Sequence, residues 1–203
     1  VASVHFLPDT PACHLGYKAM AVNLSDIAAM GGRPRWATLA LTLPERDDAW
    51  LKAFADGVGE ACEEYGVALV GGDTTRGPLT CTVQLIGEVP RGEGLRRAGA
   101  RPGDALFVTG TLGDAGLGLA CLQGRADLTA DAERAMRARL ERPTPRVAFG
   151  QALRGLASSA IDVSDGLLAD FGHIAEAGGV GARIELAALP LSDALSAAMA
   201  RGA

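Results

Sequence analysis

Large rings are scarce in this sequence: aromatic residues are only 4% of its 203 residues. A core built with so few rings must pack aliphatic side chains and backbones closely. Histidine is nearly absent as well, with His5, His14 and His173 alone, and no H-E-x-x-H occurs. The four cysteines, Cys13, Cys62, Cys81 and Cys121, are scattered without a C-x-x-C pair, so neither a zinc knuckle nor a redox motif is expected. Their spacing fits reduced thiols in the cytoplasm. No surplus of positive charge exists: the net charge is -5, a poor basis for nucleic-acid binding. The longest uncharged run, Gly77 to Gly87, is far short of the roughly 18 apolar residues of a membrane-spanning helix. No G-K-[ST] occurs, which excludes a P-loop.

What is abundant is glycine, 27 residues in all. The apolar spacing predicts a helix over 14–31 on a stripe of Leu15, Ala19, Val22 and Met30, stopped by Gly31-Gly32. A strand follows over 35–43, then a helix over 47–65 capped by Asp47 or Asp48, and strands at 67–70 and 80–89. A first strand is expected near Val4. The stretch 90–104 is rich in Gly, Pro and Arg without apolar period, and marks a domain boundary. Beyond it, strands are expected at 105–109, 159–163 and 181–186. Helices are expected at about 114–123, 130–141, 146–157 and 166–177, with a last one toward Ala203. The alternation reads as an α/β or α+β layout.

Three segments carry candidate chemistry. Asn23 and Asp26 share a face of the first helix, where a carboxylate serves as an ion pair, a cap or a metal ligand. Gly71-Gly72-Asp73-Thr74-Thr75-Arg76-Gly77 follows an apolar strand. As a turn, it would bring thin backbone, hydroxyls, a cation and Asp73 to a strand end, where α/β proteins bind phosphates. Asp162-Val163-Ser164-Asp165-Gly166 lies between a strand and a helix, and its two aspartates could converge on one cation. It is not a nucleophile elbow, because Asp162 stands where the first glycine of G-x-S-x-G must be. Gly110 to Gly118 fails as a dinucleotide fingerprint, since Cys121 replaces the third glycine. His5 and Arg97, taken singly, read as solvated side chains. Asp26, Asp73, Asp162 and Asp165 form an oxygen-only ligand set, which favours Mg²⁺ over zinc. With glycine-rich turns beside them, they point to a Mg-nucleotide enzyme outside the P-loop class.

These motifs are collinear with those of one family. Val4-His5-Phe6, Gly16-Tyr-Lys-Ala19, Ala21 to Gly31 (AVNLSDIAAMG), Gly71 to Pro78 (GGDTTRGP), Arg97-Ala-Gly-Ala, Gly103-Asp104, Val108-Thr-Gly110, Arg142-Pro-Thr-Pro-Arg146 and Asp162 to Gly166 strongly resemble the thiamine-monophosphate kinase family. The N-L-S-D segment and the glycine-aspartate turns are shared more loosely with aminoimidazole ribonucleotide synthetases and selenophosphate synthetases. GGDTTRGP and DVSDG in this order are what point to the kinases.

The resemblance implies a two-domain, aminoimidazole ribonucleotide synthetase-like α/β fold. Residues 1–90 would bind ATP and Mg²⁺ and form a β-barrel with a second subunit, and residues 91–203 would form a second α/β domain. It implies direct in-line transfer of the ATP γ-phosphate to thiamine phosphate, without a phosphoenzyme. Asp26, Asp73, Asp162 and Asp165 would ligate Mg²⁺, Gly72 and Ser164 would contact ATP, and Arg97 would stabilise phosphate charge. Asp73 and Arg97 would be catalytic, both also touching the nucleotide, and His5 would line the thiamine phosphate site. The implied protein is a cytoplasmic homodimer that binds neither nucleic acid nor membrane. The family's motifs extend beyond both ends of the chain, so an incomplete copy is expected. The rival readings are another ATP-dependent enzyme of the superfamily, of ribonucleotide synthetase or selenophosphate synthetase type, and a nucleotide-binding module without catalysis.

Overall fold

The computed structural model describes residues 1–201, so the last two residues of the expected second domain lie outside it. In chain order the elements are α1 (Ala12–Ala29), β1 (Arg33–Leu43), α2 (Asp48–Tyr65), β2 (Ala68–Arg76), β3 (Thr80–Glu88), α3 (Asp114–Leu122), α4 (Ala130–Glu141), α5 (Val147–Ala152), α6 (Leu167–Gly178) and α7 (Asp193–Ala200). A 3-10 turn lies at Leu186–Ala188. They form two units: Val1–Leu95 with Glu141–Leu156, and Arg96–Leu140 with the residues from Ala157 on.

In the first unit α1 and α2 pack on one face of a three-stranded sheet ordered β2-β1-β3. α2 forms for local reasons. Asp47 caps it by accepting the Trp50 N–H at 3.0 Å, and Gly66 ends it at φ 65°. The spacing predicts a stripe of Ala53, Phe54, Gly57, Val58, Ala61, Cys62 and Tyr65, of which Phe54, Gly57, Val58 and Ala61 are buried and the other three half-buried. α1 differs from expectation. Its buried face is Leu15, Tyr17, Met20, Ala21, Leu24 and Ala28, while Val22 and Met30 are exposed. The helix is apolar or small nearly all round, so periodicity alone does not choose a face. The small residues do. A methyl on Gly16 would lie 2.1 Å from the Phe54 carbonyl oxygen, and one on Gly57 would lie 1.9 Å from that of Cys13. The two backbones therefore touch where both helices lack side chains.

β1 pairs in parallel with β2, the crossover being α2, and antiparallel with β3. Ala37, Leu41 and Leu43 turn toward the helices and are buried. The segment Gly71–Arg76, expected as a turn after a short strand, is instead the body of β2, in register with Thr38 to Leu43 of β1. Strand pairing overrides the turn propensity of its glycines and aspartate. The expected strand near Val4 reduces to one isolated bridge between Ala2 and Phe6.

Residues 141–156 return to this unit because they complete its surface. His14 Nδ1 and Glu141 Oε2 are 2.7 Å apart, Arg142 pairs with Glu60 and lies over the Tyr17 ring, and Val147 enters the core. Gly150 allows contact with α1, since a Cβ there would be 2.0 Å from the Ala28 carbonyl oxygen. Burial lowers the Lys18 pKa, and nearby Glu141 partly restores it.

In the second unit Leu117, Met136 and Ala198 form a small core joining α3, α4 and α7. Buried Asp114 ties their ends, accepting from the Thr111 and Ser192 hydroxyls and lying 3.8 Å from Arg139 Nε. The strands expected at 105–109, 159–163 and 181–186 are not paired into a ladder. Phe107 is 87% exposed, and in 159–163 the Ala160 N–H makes a single backbone bond, to the Arg96 carbonyl. A β-prone run becomes a strand only where a partner presents its own unpaired edge.

Candidate functional site

The β2 segment places Asp73 by alternation. Ala40 is the register partner of Asp73, and Leu39 and Leu41 on either side of Ala40 turn toward the helices. Asp73 and Thr75 therefore stand on the opposite, exposed face of the sheet. The Thr42 and Thr75 hydroxyls meet across that face at 3.1 Å. The Thr74 N–H donates to Asp73 Oδ1 at 2.8 Å and orients the carboxylate. Gly72 has a packing reason as well. The ladder shifts register between Ala37 and Thr38, and a Cβ on Gly72 would lie 1.9 Å from the Leu39 carbonyl oxygen. The apolar cavity of about 250 Å³ between α2 and the sheet, lined by Leu39, Leu41 and Phe54 among others, lies on the helix side, away from Asp73.

Asp26 is exposed on α1, and Asn23, its neighbour on that face, donates from Nδ2 to the Ala19 carbonyl at 2.8 Å. His5 is exposed beside the isolated bridge. All four candidates of the first unit, His5, Asp26, Gly72 and Asp73, are open to solvent.

In the second unit the Arg97 loop is held at both ends. Asp104 accepts from the Ser158 hydroxyl and the Arg101 N–H, which lower the pKa of its carboxyl. The Ser159 hydroxyl donates to the Arg97 carbonyl at 3.2 Å. Gly99 lets the loop close on its neighbour, since a Cβ there would lie 1.8 Å from the Ser158 carbonyl oxygen. The loop is pinned while the Arg97 side chain remains exposed. Ser164 and Asp165 are exposed and Asp162 is half-buried, on an irregular segment that leads into α6.

One residue of this turn was not foreseen. Asp170, 4% exposed, accepts at Oδ2 the N–H groups of Ser164, Asp165 and Gly166 at 2.8, 3.1 and 3.2 Å. Its one sequence signal is a lone carboxylate among apolar neighbours, four residues after a glycine.

The donor set fits Mg²⁺ bound with a nucleotide. Every candidate ligand is a carboxylate oxygen, and all but Asp162 are exposed. Among the described residues no group of three or more His, Cys, Asp or Glu side chains is gathered into a cage. Mg²⁺ seldom uses such a cage. It keeps waters and takes one or two carboxylates plus substrate phosphates.

Comparison with known proteins agrees with this fold and these motifs. The chain belongs to the AIR synthase related family: its N-terminal domain model matches residues 1–89 and its C-terminal domain model residues 101–202. Within this two-domain α/β class the chain is similar to thiamine-monophosphate kinases. That of Escherichia coli (strain K12) is 56% identical over 198 residues, covering 97% of this chain and 61% of the relative. A crystal structure of thiamine-monophosphate kinase from Stenotrophomonas maltophilia K279a superposes with a TM-score of 0.93 at 50% identity, over 99% of this chain and 65% of that one. A structure of AaThiL complexed with AMPPCP and TMP superposes at 0.92 with 38% identity, over 98% and 65%. The chain thus spans about three fifths of the length of the curated relatives it matches.

Proposed function

We propose that the chain is part of a Mg²⁺-dependent kinase that converts thiamine phosphate and ATP into thiamine diphosphate and ADP. The observation that carries this reading is 56% identity to a thiamine-monophosphate kinase over 97% of the chain. The neighbouring structure bound to AMPPCP and TMP supports an ATP site and, read as thiamine monophosphate, an acceptor site. A phosphate oxygen of the acceptor attacks the γ-phosphorus, the bond to the β–γ bridging oxygen breaks, and ADP leaves.

Both reactants are anionic, so the protein must gather positive charge and exclude misalignment. Asp26 and Asp73 in the first unit and Asp162 and Asp165 in the second are the proposed Mg²⁺ ligands. Bound there, Mg²⁺ offsets the repulsion between the phosphates and the charge on the leaving group. Gly72 thins the strand where the nucleotide approaches, and the Ser164 hydroxyl contacts ATP. Arg97, on its pinned loop, meets the charge of the transferred phosphoryl group, and His5 lines the acceptor site.

Residues 1–90 carry the nucleotide and dimer functions in this reading, with Glu141–Leu156 packed on them, and the remainder of 91–203 belongs to the second α/β domain. The exposed sheet face, with Trp36 and Ile86 adjacent on it, supports a barrel completed by a second copy. The four unpaired cysteines support a cytoplasmic enzyme, and the net charge of -5 supports small-molecule partners over nucleic acid. Among the described residues no helix is long and apolar enough to cross a membrane.

The test is ADP release by the full-length protein with thiamine phosphate, ATP and Mg²⁺. Release that depends on thiamine phosphate supports the reading. Release with another acceptor only would make it a different synthetase of the family, and nucleotide binding without release a non-catalytic module.

A further inference from the structure

We infer that Asp170 is a positioning residue that fixes the turn from which Ser164 and Asp165 present their side chains to the nucleotide and its cation. This rests on the kinase reading for the identity of the metal, and on geometry for the rest. A strand-to-helix turn with free N–H groups attracts phosphate. Here three successive N–H groups, of Ser164, Asp165 and Gly166, converge on one oxygen of Asp170. The carboxylate is buried and belongs to the first turns of α6 itself, where its own N–H bonds to the Gly166 carbonyl at 3.0 Å. Its negative charge sits where the helix dipole is positive. The three N–H groups that precede the helix are thereby taken up, and the turn keeps one conformation.

The same three bonds fix the backbone that carries Ser164 and Asp165, directly after Asp162 and Val163. With the amides turned inward to Asp170, the exposed side chains of Ser164 and Asp165 remain for ligands. What the turn offers is carboxylate and hydroxyl oxygen, which suits a hydrated divalent cation. Gly166 completes the device. It adopts φ 114°, a conformation that L side chains rarely take, yet no atom lies within 4 Å of where its Cβ would be. The glycine serves the backbone path and not a crowded neighbour.

The test compares wild type with Asp170→Asn, Asp170→Glu and Gly166→Ala in the full-length protein. Two quantities are measured: Mn²⁺ binding by electron paramagnetic resonance in the presence of AMPPCP, and the Mg²⁺ concentration for half-maximal ADP release. Asp170→Asn and Gly166→Ala are each expected to weaken Mn²⁺ binding and raise the Mg²⁺ requirement about tenfold, as loss of a supporting carboxylate does elsewhere. Turnover at saturating Mg²⁺ should stay within about twofold, a split that simple loss of folded protein does not produce. Asp170→Glu keeps the charge and should lie between these and wild type. If Asp170→Asn fails to fold, Gly166→Ala, which removes no contact, decides the matter. Folded variants with unchanged Mn²⁺ binding overturn the inference. A wild-type protein that binds Mn²⁺ but releases no ADP overturns the kinase reading instead, and the Mn²⁺ arm still decides the role of Asp170.

Discussion

A methyl group added to Gly57 puts two rules in direct opposition. In the interior of a helix, alanine is favoured over glycine by about 1 kcal/mol. At Gly57 the new carbon would lie 1.9 Å from the Cys13 carbonyl oxygen, 2.7 Å from its carbon and 2.9 Å from the Tyr17 nitrogen. All three are backbone atoms of α1, so no rotamer relieves the clash. α1 and α2 would have to move roughly 1.5 Å apart to regain van der Waals contact, loosening Phe54, Met20 and Leu24. Overpacking of this kind costs about 1–3 kcal/mol, and the lost contacts add to it, so Gly57→Ala should destabilise the first unit by about 3 kcal/mol. Gly59, two residues on in the same helix, is the internal control: it is exposed with no atom within 4 Å of its Cβ position. Gly59→Ala should stabilise by about 0.5–1 kcal/mol. Urea unfolding followed by fluorescence of Trp50, stacked on Phe54 with ring centroids 5.1 Å apart, reads both variants. With a slope of about 3 kcal/mol per molar, the midpoint of Gly57→Ala should fall by about 1 M while that of Gly59→Ala rises slightly. Shifts of the same sign in both variants would refute the backbone contact between α1 and α2.

Three further outcomes are expected. Asp73→Asn should lower the rate of ADP release at least about tenfold, because it removes a charge proposed to meet Mg²⁺; near wild-type turnover with normal Mg²⁺ dependence removes Asp73 from the site. Cys81 lies opposite Leu41 on the core side, and burial pushes its thiol up to about 11 from an ordinary 9.0. At pH 8 its alkylation, followed by mass spectrometry, should be about a hundredfold slower than that of a free thiol. Because the folded value is the higher one, the stability this thiol contributes is complete below its unfolded value and is lost as pH rises through about 11. Val70, 59% exposed on an outer strand of the sheet, tests the proposed dimer: Val70→Arg should shift the mass seen by light scattering from two copies toward one, and an unchanged mass places the interface elsewhere.

Where several local signals agreed, the sequence was readable. α2 has a cap, an apolar stripe and a terminal glycine, and all three act as their chemistry requires. α1 was legible as a helix but not in its orientation, because glycine and alanine rather than large side chains decide which face is buried. Gly71–Arg76 reads as a turn by composition, and only its pairing with β1 makes it strand. In the second unit the β-prone runs lack partners, which no window of a few residues can show. The site divides in the same way. Asp73, Asp162 and Asp165 were visible as carboxylates beside glycines and hydroxyls, whereas Asp170 stands among apolar residues and drew no reading. Its importance lies in three N–H groups that converge only after the turn has folded.

The route of the chain through the first unit has a consequence for how the protein is made. A ribosome that has released Val1–Leu95 has delivered both helices and the whole sheet, but not Glu141–Leu156. Until that stretch emerges, the Ala28 surface that receives Gly150 stays uncovered, and His14 and Glu60 lack Glu141 and Arg142. The nascent chain must therefore carry an unfinished first unit through the synthesis of the intervening residues, an interval of a few seconds at about 5–20 residues per second. The apolar surface that Val147 and Gly150 would cover stays exposed during that wait, and a gene cut after residue 95 would leave the product in that condition permanently.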